Sequence, residues 1–112
     1  VIKLNRPEKR NALDPETVMM FNEFSEKAKD PKFRAVIVTG DDSAFCGGAD
    51  ITAAASEDGM GWKSVEQALN EGYHVGLNNM IYMDKVVIAA VEGACAGIGC
   101  AYYLSSDIAV MA

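Results

Sequence analysis

Two glycine-rich segments hold the residues whose spacing could do chemistry: "AFCGGADI" at positions 44–51 and "EGACAGIG" at positions 92–99. Each follows an apolar run that predicts a buried strand. Neither contains an obvious catalytic side chain, so their chemistry would come from the backbone. Glycine lets a backbone approach a ligand closely. Two such loops side by side could each point one N–H at a single carbonyl oxygen, which is the design of an oxyanion hole.

Other uses of glycine loops fit the sequence less well. A turn after a strand is the simplest alternative, and "GIG" at positions 97–99 could be half of a dinucleotide fingerprint, but Tyr102 occupies its third glycine position. A P-loop would need Lys-Ser or Lys-Thr after the glycines, and a hydrolase elbow would need G-x-S-x-G; the sequence has neither. Cys46 lacks a paired histidine and is predicted to pack as a small apolar residue.

The elements that must position these loops alternate along the chain. "VIKLN" predicts a strand, and Asp14 followed by Pro15 predicts the start of a helix. Its buried stripe is predicted at helical spacing: Val18, Phe21, Phe24 or Ser25, and Ala28. The run at 35–40 predicts a strand covered on both faces, and the run at 86–91 a second buried strand.

The segment at 52–67 is small and polar, which predicts a mobile surface segment. Helical spacing then resumes as far as about Met83, through Val65, Leu69, His74, Leu77 and Ile81. A short helix at 100–106 and a strand at 107–112 complete the order. Strands alternating with helices predict an α/β fold with parallel strands.

Composition limits the class of protein. The 112 residues are 50% hydrophobic with a net charge of −6, and the basic residues form no block, which argues against nucleic-acid or membrane partners. Three cysteines, one histidine and no C-x-x-C pair predict neither a disulfide framework nor a zinc site, and favour a reducing compartment. The apolar start without Met and the strand-like end predict a part of a longer protein, so a removed targeting peptide remains open.

Three segments in series carry a family resemblance: "RPEKRNAL" at 6–13, "AFCGGADI", and "VVIAAVEGACAGIGCAYYLSSDI" at 86–108. Together they resemble the crotonase superfamily of enoyl-CoA hydratases and isomerases, over essentially the whole chain. The resemblance implies a crotonase-like α/β spiral of ββα units, with residues 1–112 as the N-terminal part of one domain, truncated at both ends. It also implies trimers or pairs of trimers and a cytoplasmic location, with the mitochondrial or peroxisomal matrix as alternatives.

The resemblance also implies a site. The N–H groups of Ala49 and Ile98 would form the oxyanion hole that holds an acyl-CoA thioester oxygen, with coenzyme A as part of the substrate rather than a resident cofactor, and with no metal. Lys9 and Arg10 would meet the CoA phosphates, although two solvated surface cations are an equal alternative. The implied ligand-binding positions are Lys9, Arg10, Ala12, Gly47, Ala49, Asp50, Ile51, Ala94, Gly97 and Ile98.

One position departs from the pattern of the hydratases. They carry a glutamate just past the second glycine loop, where this chain has Ala101. Adding water across a double bond needs an acid and a base, so this position favours an isomerase, which uses a single glutamate from a segment past Ala112. Glu92 and Asp107 are predicted to be solvated or structural acids. Tyr102 and Tyr103 are predicted to pack.

Two rival functions remain open at this point. The chain could belong to a non-catalytic acyl-CoA-binding member of the same fold, which keeps the oxyanion hole and loses the acids. It could also be a nucleotide-binding α/β domain, which would bind a dinucleotide without a thioester. Within the family, hydratase chemistry remains the alternative to isomerase chemistry.

Overall fold

The computed structural model describes residues 1–54 and 62–112. Its strands are β1 (Ile2–Lys3), β2 (Ala35–Thr39), β3 (Ala44–Cys46), β4 (Val86–Val91), β5 (Ala94–Cys95) and β6 (Ile108–Met111). A parallel sheet has the order β1-β2-β4-β6, and β3 pairs with β5 in a second parallel sheet. The predicted α/β fold with parallel strands is confirmed. The short strands β3 and β5 lie where sequence patterning alone predicted only loops.

A short 3₁₀ turn spans Pro7–Lys9, and the helices are α1 (Pro15–Lys27), α2 (Ile51–Ala54), α3 (Val65–Gln67), α4 (His74–Ile81) and α5 (Ile98–Leu104), with a π-helical turn at Ala68–Tyr73 between α3 and α4. The segment from β4 through β5 to α5 is one ββα unit, since two strands are followed by a helix. Its two strands belong to different sheets. Within residues 1–54 and 62–112, we find no helix with the length and apolar character that crossing a bilayer requires.

Helix α1 begins as its sequence predicts. The Asp14 carboxylate accepts a hydrogen bond of 2.8 Å from the Thr17 N–H, and Pro15 is the first helical residue. Val18 and Ser25 are fully buried, whereas Phe24 is 45% exposed. Ser25 therefore continues the buried stripe, and the alternative with Phe24 is wrong.

The main sheet is covered on one face only in the part of the chain that the structure describes. Val36 and Val38 of β2 are buried in the same cluster as Phe21 of α1 and Met80 of α4. Ile37, which points to the opposite face, is 37% exposed, and every residue of β6 is exposed. The prediction that β2 is covered on both faces is wrong for these residues. An apolar run shows that a strand can be buried, but it does not show whether another element packs on each of its faces.

The buried face of the segment at 65–81 agrees only in part with the predicted pattern. Leu77 is buried and Leu69 is half-buried, as predicted, whereas Val65, His74 and Ile81 are exposed. The other buried residues are Gly72, Tyr73, Gly76 and Met80. The π-helical turn explains the change, since the His74 N–H donates to the carbonyl of Leu69, five residues back. The wider turn inserts one extra residue and rotates the following helix relative to a regular pattern.

The segment predicted to be a mobile surface region is described only at its ends, because residues 55–61 lie outside the described residues. Its first residues continue helix α2. At its other end the Trp62 ring is half-buried, with its centroid 5.6 Å from that of Tyr73. Trp62 therefore packs against the folded chain and is not a fully exposed surface residue.

Candidate active site

The two glycine loops meet directly beyond the second sheet. Strands β3 and β5 lie side by side, and the Ala96 N–H donates to the carbonyl of Cys46 at 3.0 Å. Past this bond the chain turns at Gly48 (φ 100°) and Gly97 (φ 53°), which are values that favour glycine. A methyl group on Gly48 would lie 3.1 Å from the Ala96 oxygen and 3.7 Å from the Gly97 Cα. Both loops therefore need glycine where they touch.

The amide of Ala49 lies one residue past this contact and points away from the neighbouring backbone. Leu13 pairs with Ala49 as a parallel bridge, in which the Leu13 N–H donates to Gly48 (2.7 Å) and the Asp50 N–H donates to Leu13 (2.9 Å). In such a bridge the amide between these two bonds faces the other side of the strand. Among residues 1–54 and 62–112, no backbone acceptor pairs with the Ala49 N–H.

The amide of Ile98 is available for a different reason. Ile98 is the first residue of α5, and the first N–H groups of a helix have no acceptor within that helix. The N-cap residue is Gly97, which has no side chain that could accept a hydrogen bond from these N–H groups. The two N–H groups that the sequence predicted for an oxyanion hole thus each follow one of the two glycines in contact, and the described residues supply no backbone acceptor for either.

The segment at 10–13 holds the first loop in place. The Gly47 N–H donates to the carbonyl of Arg10 at 2.8 Å, in addition to the bonds that Leu13 makes. Asn11 is 1% exposed and has φ 54°; its Nδ2 donates to the carbonyl of Ala44 at 2.7 Å, and its Oδ1 accepts from the Arg6 N–H at 2.7 Å. Sequence reasoning missed Asn11. Its only local signal is that Asn tolerates left-handed backbone better than most residues.

Arg6, also missed, connects this segment to two acids. Its Nη1 donates to the carbonyl of Ala12 at 2.6 Å and to Asp50 Oδ2 at 3.2 Å, and its Nη2 lies 3.1 Å from Asp14 Oδ2. The other Asp50 oxygen accepts from the Thr52 hydroxyl at 2.6 Å and N–H at 3.1 Å. These bonds, led by the Thr52 hydroxyl, lower the pKa of Asp50 to about 2. The Asp50 side chain thus holds the geometry of the loop.

The remaining predicted ligand positions are Lys9, Arg10 and Ile51, which lie near the first loop, and Ala94, which lies away from the contact between the loops. Lys9 and Arg10 are exposed at the end of the 3₁₀ turn, next to the segment that holds Gly47. Ile51 is 80% exposed at the start of α2. Ala94 is exposed at the other end of β5, beside Ala44, so its place is away from the contact between the loops.

The residues around Ala101 behave as packing and structural groups. Tyr102 is fully buried, and its ring meets Phe21 edge-on at 4.7 Å, so burial raises the pKa of its hydroxyl. The Asp107 carboxylate accepts from the Val87 N–H at 2.8 Å, and Glu92 is exposed. Ala101 lies one helical turn after Ile98, on the same side of α5.

Cys46 packs where a thiolate mechanism would need it exposed. Its side chain is fully buried, and burial raises the pKa of its thiol. A methyl group on Gly99 would lie 2.8 Å from the Cys46 Cβ and 3.0 Å from its Sγ. Gly99 is thus small because it packs on Cys46.

A largely apolar cavity of about 400 Å³ opens beside the first loop. Ala49 lies in its wall, together with Leu13, Pro15, Asp50, Trp62, Ser64, Val65, Ala68, Leu69 and Tyr73. Sequence reasoning identified neither Trp62 nor Tyr73 as part of it. The π-helical turn places Tyr73 there, and such turns are frequent at functional sites. The backbone at Ala49 thus lies beside an apolar cavity, and a cavity with such a wall suits an apolar ligand.

Comparison with known proteins finds relatives over the whole or nearly the whole chain. The "Probable enoyl-CoA hydratase" of Rhodobacter capsulatus is 35% identical over the whole chain, which spans 42% of that protein. The "2,3-dehydroadipyl-CoA hydratase" of Escherichia coli K12 is 32% identical over 98% of the chain, which spans 41% of it. The solved enoyl-CoA hydratase of Bacillus anthracis superposes with a TM-score of 0.85 at 27% identity, over 97% of this chain and 42% of that one.

The similarity is therefore to the N-terminal part of crotonase-fold proteins, and the chain spans about two fifths of the curated relatives it matches. The family model for enoyl-CoA hydratase/isomerase matches residues 1–112. Together with the two apposed glycine loops, this match shows that the chain belongs to the enoyl-CoA hydratase/isomerase family.

Proposed function

We propose that this chain supplies the oxyanion hole and part of the acyl pocket of an enzyme that acts on acyl-CoA thioesters. The observation that carries the proposal is the pair of available amides, Ala49 and Ile98, each next to one of two glycines in contact. Such donors bind the thioester oxygen most strongly when it becomes enolate-like, so they favour the transition state over the substrate. The cavity beside Ala49 has an apolar wall that suits an acyl chain.

Within this class we propose a double-bond isomerase. A base removes a proton from the carbon next to the thioester of a 3-enoyl-CoA, the negative charge spreads onto the oxygen in the oxyanion hole, and the proton returns two carbons further along. One carboxylate suffices for both transfers. Ala101 supports this choice, because a hydratase needs a second carboxylate and position 101 offers none. The base itself is not assigned to any residue of this chain.

Hydratase chemistry is the second candidate, and the names of the relatives favour it. The proteins from Rhodobacter capsulatus and Escherichia coli are both called hydratases. An acid on another element could replace the carboxylate missing at Ala101. The two candidates share the oxyanion hole and differ in what is added to the acyl chain. A hydratase adds the water oxygen to C3 and a proton to C2, whereas an isomerase removes a proton from C2 and returns one to C4.

Binding tests the site shared by both candidates. We would measure hydrogen exchange at the Ala49 and Ile98 amides of the complete protein with saturating butyryl-CoA, which cannot react, and with free coenzyme A as the matched control. The proposal expects both amides to be protected by butyryl-CoA and not by coenzyme A, because only the former has a thioester oxygen. Equal exchange with the two ligands would overturn it.

Turnover separates the two candidates. The complete protein would be given a 3-enoyl-CoA in D₂O and, separately, a 2-enoyl-CoA in water, with an Ala101→Glu variant in both assays. The isomerase proposal expects deuterium-bearing 2-enoyl-CoA in the first assay, little hydration in the second, and a gain of hydration in the variant. Faster hydration than isomerisation by the unmodified protein would select the hydratase instead.

A further inference from the structure

Two thiols flank the second glycine loop in direct contact. The Sγ atoms of Cys95, at the end of β5, and Cys100, in the first turn of α5, are 3.9 Å apart. The Cys100 thiol also faces the Cys95 carbonyl oxygen at 3.7 Å. Both side chains are half-buried, so small molecules can reach them, and both are free thiols in this structure.

The third cysteine differs from this pair. Cys46 lies beside Cys95 in the register of the second sheet, but it is fully buried against Gly99. A thiol without access to solvent reacts slowly with dissolved oxidants. The pair Cys95–Cys100 is therefore distinguished from Cys46 both by its sulfur–sulfur contact and by its exposure.

We propose that Cys95 and Cys100 form a dithiol that a peroxide oxidises to an intrachain disulfide. A disulfide bond is about 2.05 Å long, so the sulfurs must approach each other by roughly 2 Å. The chain between them is short and contains Gly97, whose freedom in φ accommodates an adjustment. The proposal is independent of the proposed acyl-CoA chemistry.

The oxidation proceeds in two balanced steps with hydrogen peroxide as the oxidant. The Cys100 thiol loses its proton, the thiolate attacks one peroxide oxygen, and the O–O bond breaks. Cys100 becomes a sulfenic acid, and the departing hydroxide takes up the proton that Cys100 lost and leaves as water. The Cys95 sulfur then attacks the sulfenic sulfur and expels hydroxide, which takes the Cys95 proton and leaves as the second water. Burial, followed by the hydrogen bond with Cys100, raises the pKa of Cys95 to about 12, so Cys95 suits the second, resolving position.

The bond would tie together the two ends of the segment that holds Gly97 and Ile98. In the reduced protein this segment is held by backbone bonds on either side, from Ala96 to Cys46 and from Cys100 to Gly97. Drawing Cys95 and Cys100 together alters the path of the chain between them. The second glycine loop is therefore the part of the molecule whose shape responds to oxidation.

The sequence provides a clean measurement. Trypsin cleavage after Arg34, Lys63 and Lys85 separates Cys46, in peptide 35–63, from Cys95 and Cys100, in the peptide that begins at Val86. We would treat the folded complete protein with hydrogen peroxide, unfold it in the presence of N-ethylmaleimide to label the remaining thiols, digest it, and count labels by mass spectrometry. The proposal expects the peptide that begins at Val86 to lose two hydrogen atoms and to carry no label on Cys95 or Cys100, while Cys46 is labelled, and it expects dithiothreitol to restore both labels.

Two variants make the test decisive. Cys46→Ala keeps the pair and should still lose both labels, whereas Cys95→Ser should leave Cys100 as a sulfenic acid or a more oxidised form, without the loss of two hydrogen atoms. The proposal is overturned if both Cys95 and Cys100 retain their labels. A link between peptide 35–63 and the peptide that begins at Val86 as the main product would also overturn it, because Cys46 would then be the partner.

Discussion

Asn11 and Asp41, thirty residues apart in the chain, are joined by a hydrogen bond of 2.9 Å from Asn11 Nδ2 to Asp41 Oδ2. The same amide group donates to the Ala44 carbonyl, so one buried side chain connects the segment at 10–13 to the start of β3. Asp41 in turn accepts from the hydroxyl and the N–H of Ser43. The geometry of the first glycine loop thus depends on groups that do not touch the candidate site.

Replacing Asn11 with Asp keeps the shape of the side chain and removes its donor. The variant Asn11→Asp places a carboxylate against Asp41 and the Ala44 carbonyl, and we expect it to lower the free energy of unfolding by about 2–4 kcal/mol. Urea unfolding measures this loss. The second substitution Asp41→Asn restores a donor between positions 11 and 41, so the double variant should be more stable than Asn11→Asp alone. A double variant that is no more stable would contradict this account.

Acid should weaken the same region. Hydrogen bonds from the Ser43 side chain, which contribute most, lower the pKa of Asp41 from 3.8 to about 2, and Thr52 does the same for Asp50. A carboxyl whose pKa is lower in the folded state stabilises the fold above its unfolded pKa, and that stability disappears as the pH falls through the folded value. We expect the urea midpoint to drop between pH 3.8 and about 2. The drop should be smaller in Asp50→Asn than in the unmodified protein, because that variant lacks one of the two carboxyls.

The two glycines in contact should differ in how badly they tolerate a side chain. Both have positive φ, and strain of this kind costs about 1–3 kcal/mol. Gly48→Ala adds a contact of 3.1 Å with the Ala96 oxygen, whereas a methyl group on Gly97 meets only the Gly48 Cα, at 3.7 Å, among the described atoms. Urea unfolding should therefore show a larger loss of stability for Gly48→Ala. Equal losses would mean that backbone strain alone sets the cost.

Lys9 and Arg10 offer a test of the proposed nucleotide end of the site. If they meet CoA phosphates, Lys9→Gln or Arg10→Gln should each weaken binding of free coenzyme A to the complete protein about two- to fivefold, the range for an exposed ion pair. The effect should shrink at high salt. Lys32→Gln is the matched control, because this exposed cation lies beside Asp30. Identical affinities for all three variants would identify Lys9 and Arg10 as solvated surface cations.

The sequence predicted the parts of the fold that local rules control. Asp14 and Pro15 marked the start of α1, and the glycines marked both loops, because capping and backbone freedom are properties of single positions. It missed β3 and β5, which are three and two residues long and show no alternation. Their pairing depends on register between segments some fifty residues apart, which no local pattern records.

In the candidate site, too, local sequence signals were read correctly and contacts between distant segments were missed. Ala49 and Ile98 were predicted from motifs, whereas Arg6 and Asn11 act through partners distant in sequence. The π-helical turn is also a tertiary feature. Asn22 donates to the Gly72 carbonyl at 3.0 Å from α1, and this bond joins positions fifty residues apart. The regular helical spacing at 65–81 therefore predicted Leu77 correctly but placed Val65, His74 and Ile81 on the buried face, where the structure has them exposed.

Gly72 allows that turn to support the wall of the cavity. A methyl group on Gly72 would lie 2.5 Å from Cζ2 of Trp62, so Gly72→Ala must displace the indole ring. Alanine is the better helix former by about 1 kcal/mol, yet the displaced ring should make the variant less stable by about 1–3 kcal/mol. Helix propensity would raise the stability of Gly72→Ala and displacement of the Trp62 ring would lower it, so the sign of the measured change shows which effect is larger.

Trp62 is the single tryptophan of the chain, so its fluorescence reports on the cavity directly. We expect the emission of Gly72→Ala to shift to longer wavelength, because the ring leaves its half-buried position beside Tyr73. Asn70→Ala is the matched control: it lies in the same π-helical turn, its side chain is exposed, and it should leave emission and stability nearly unchanged. If Gly72→Ala keeps the original emission while stability falls, the cost arises within the π-helical turn and the contact with Trp62 does not hold the ring.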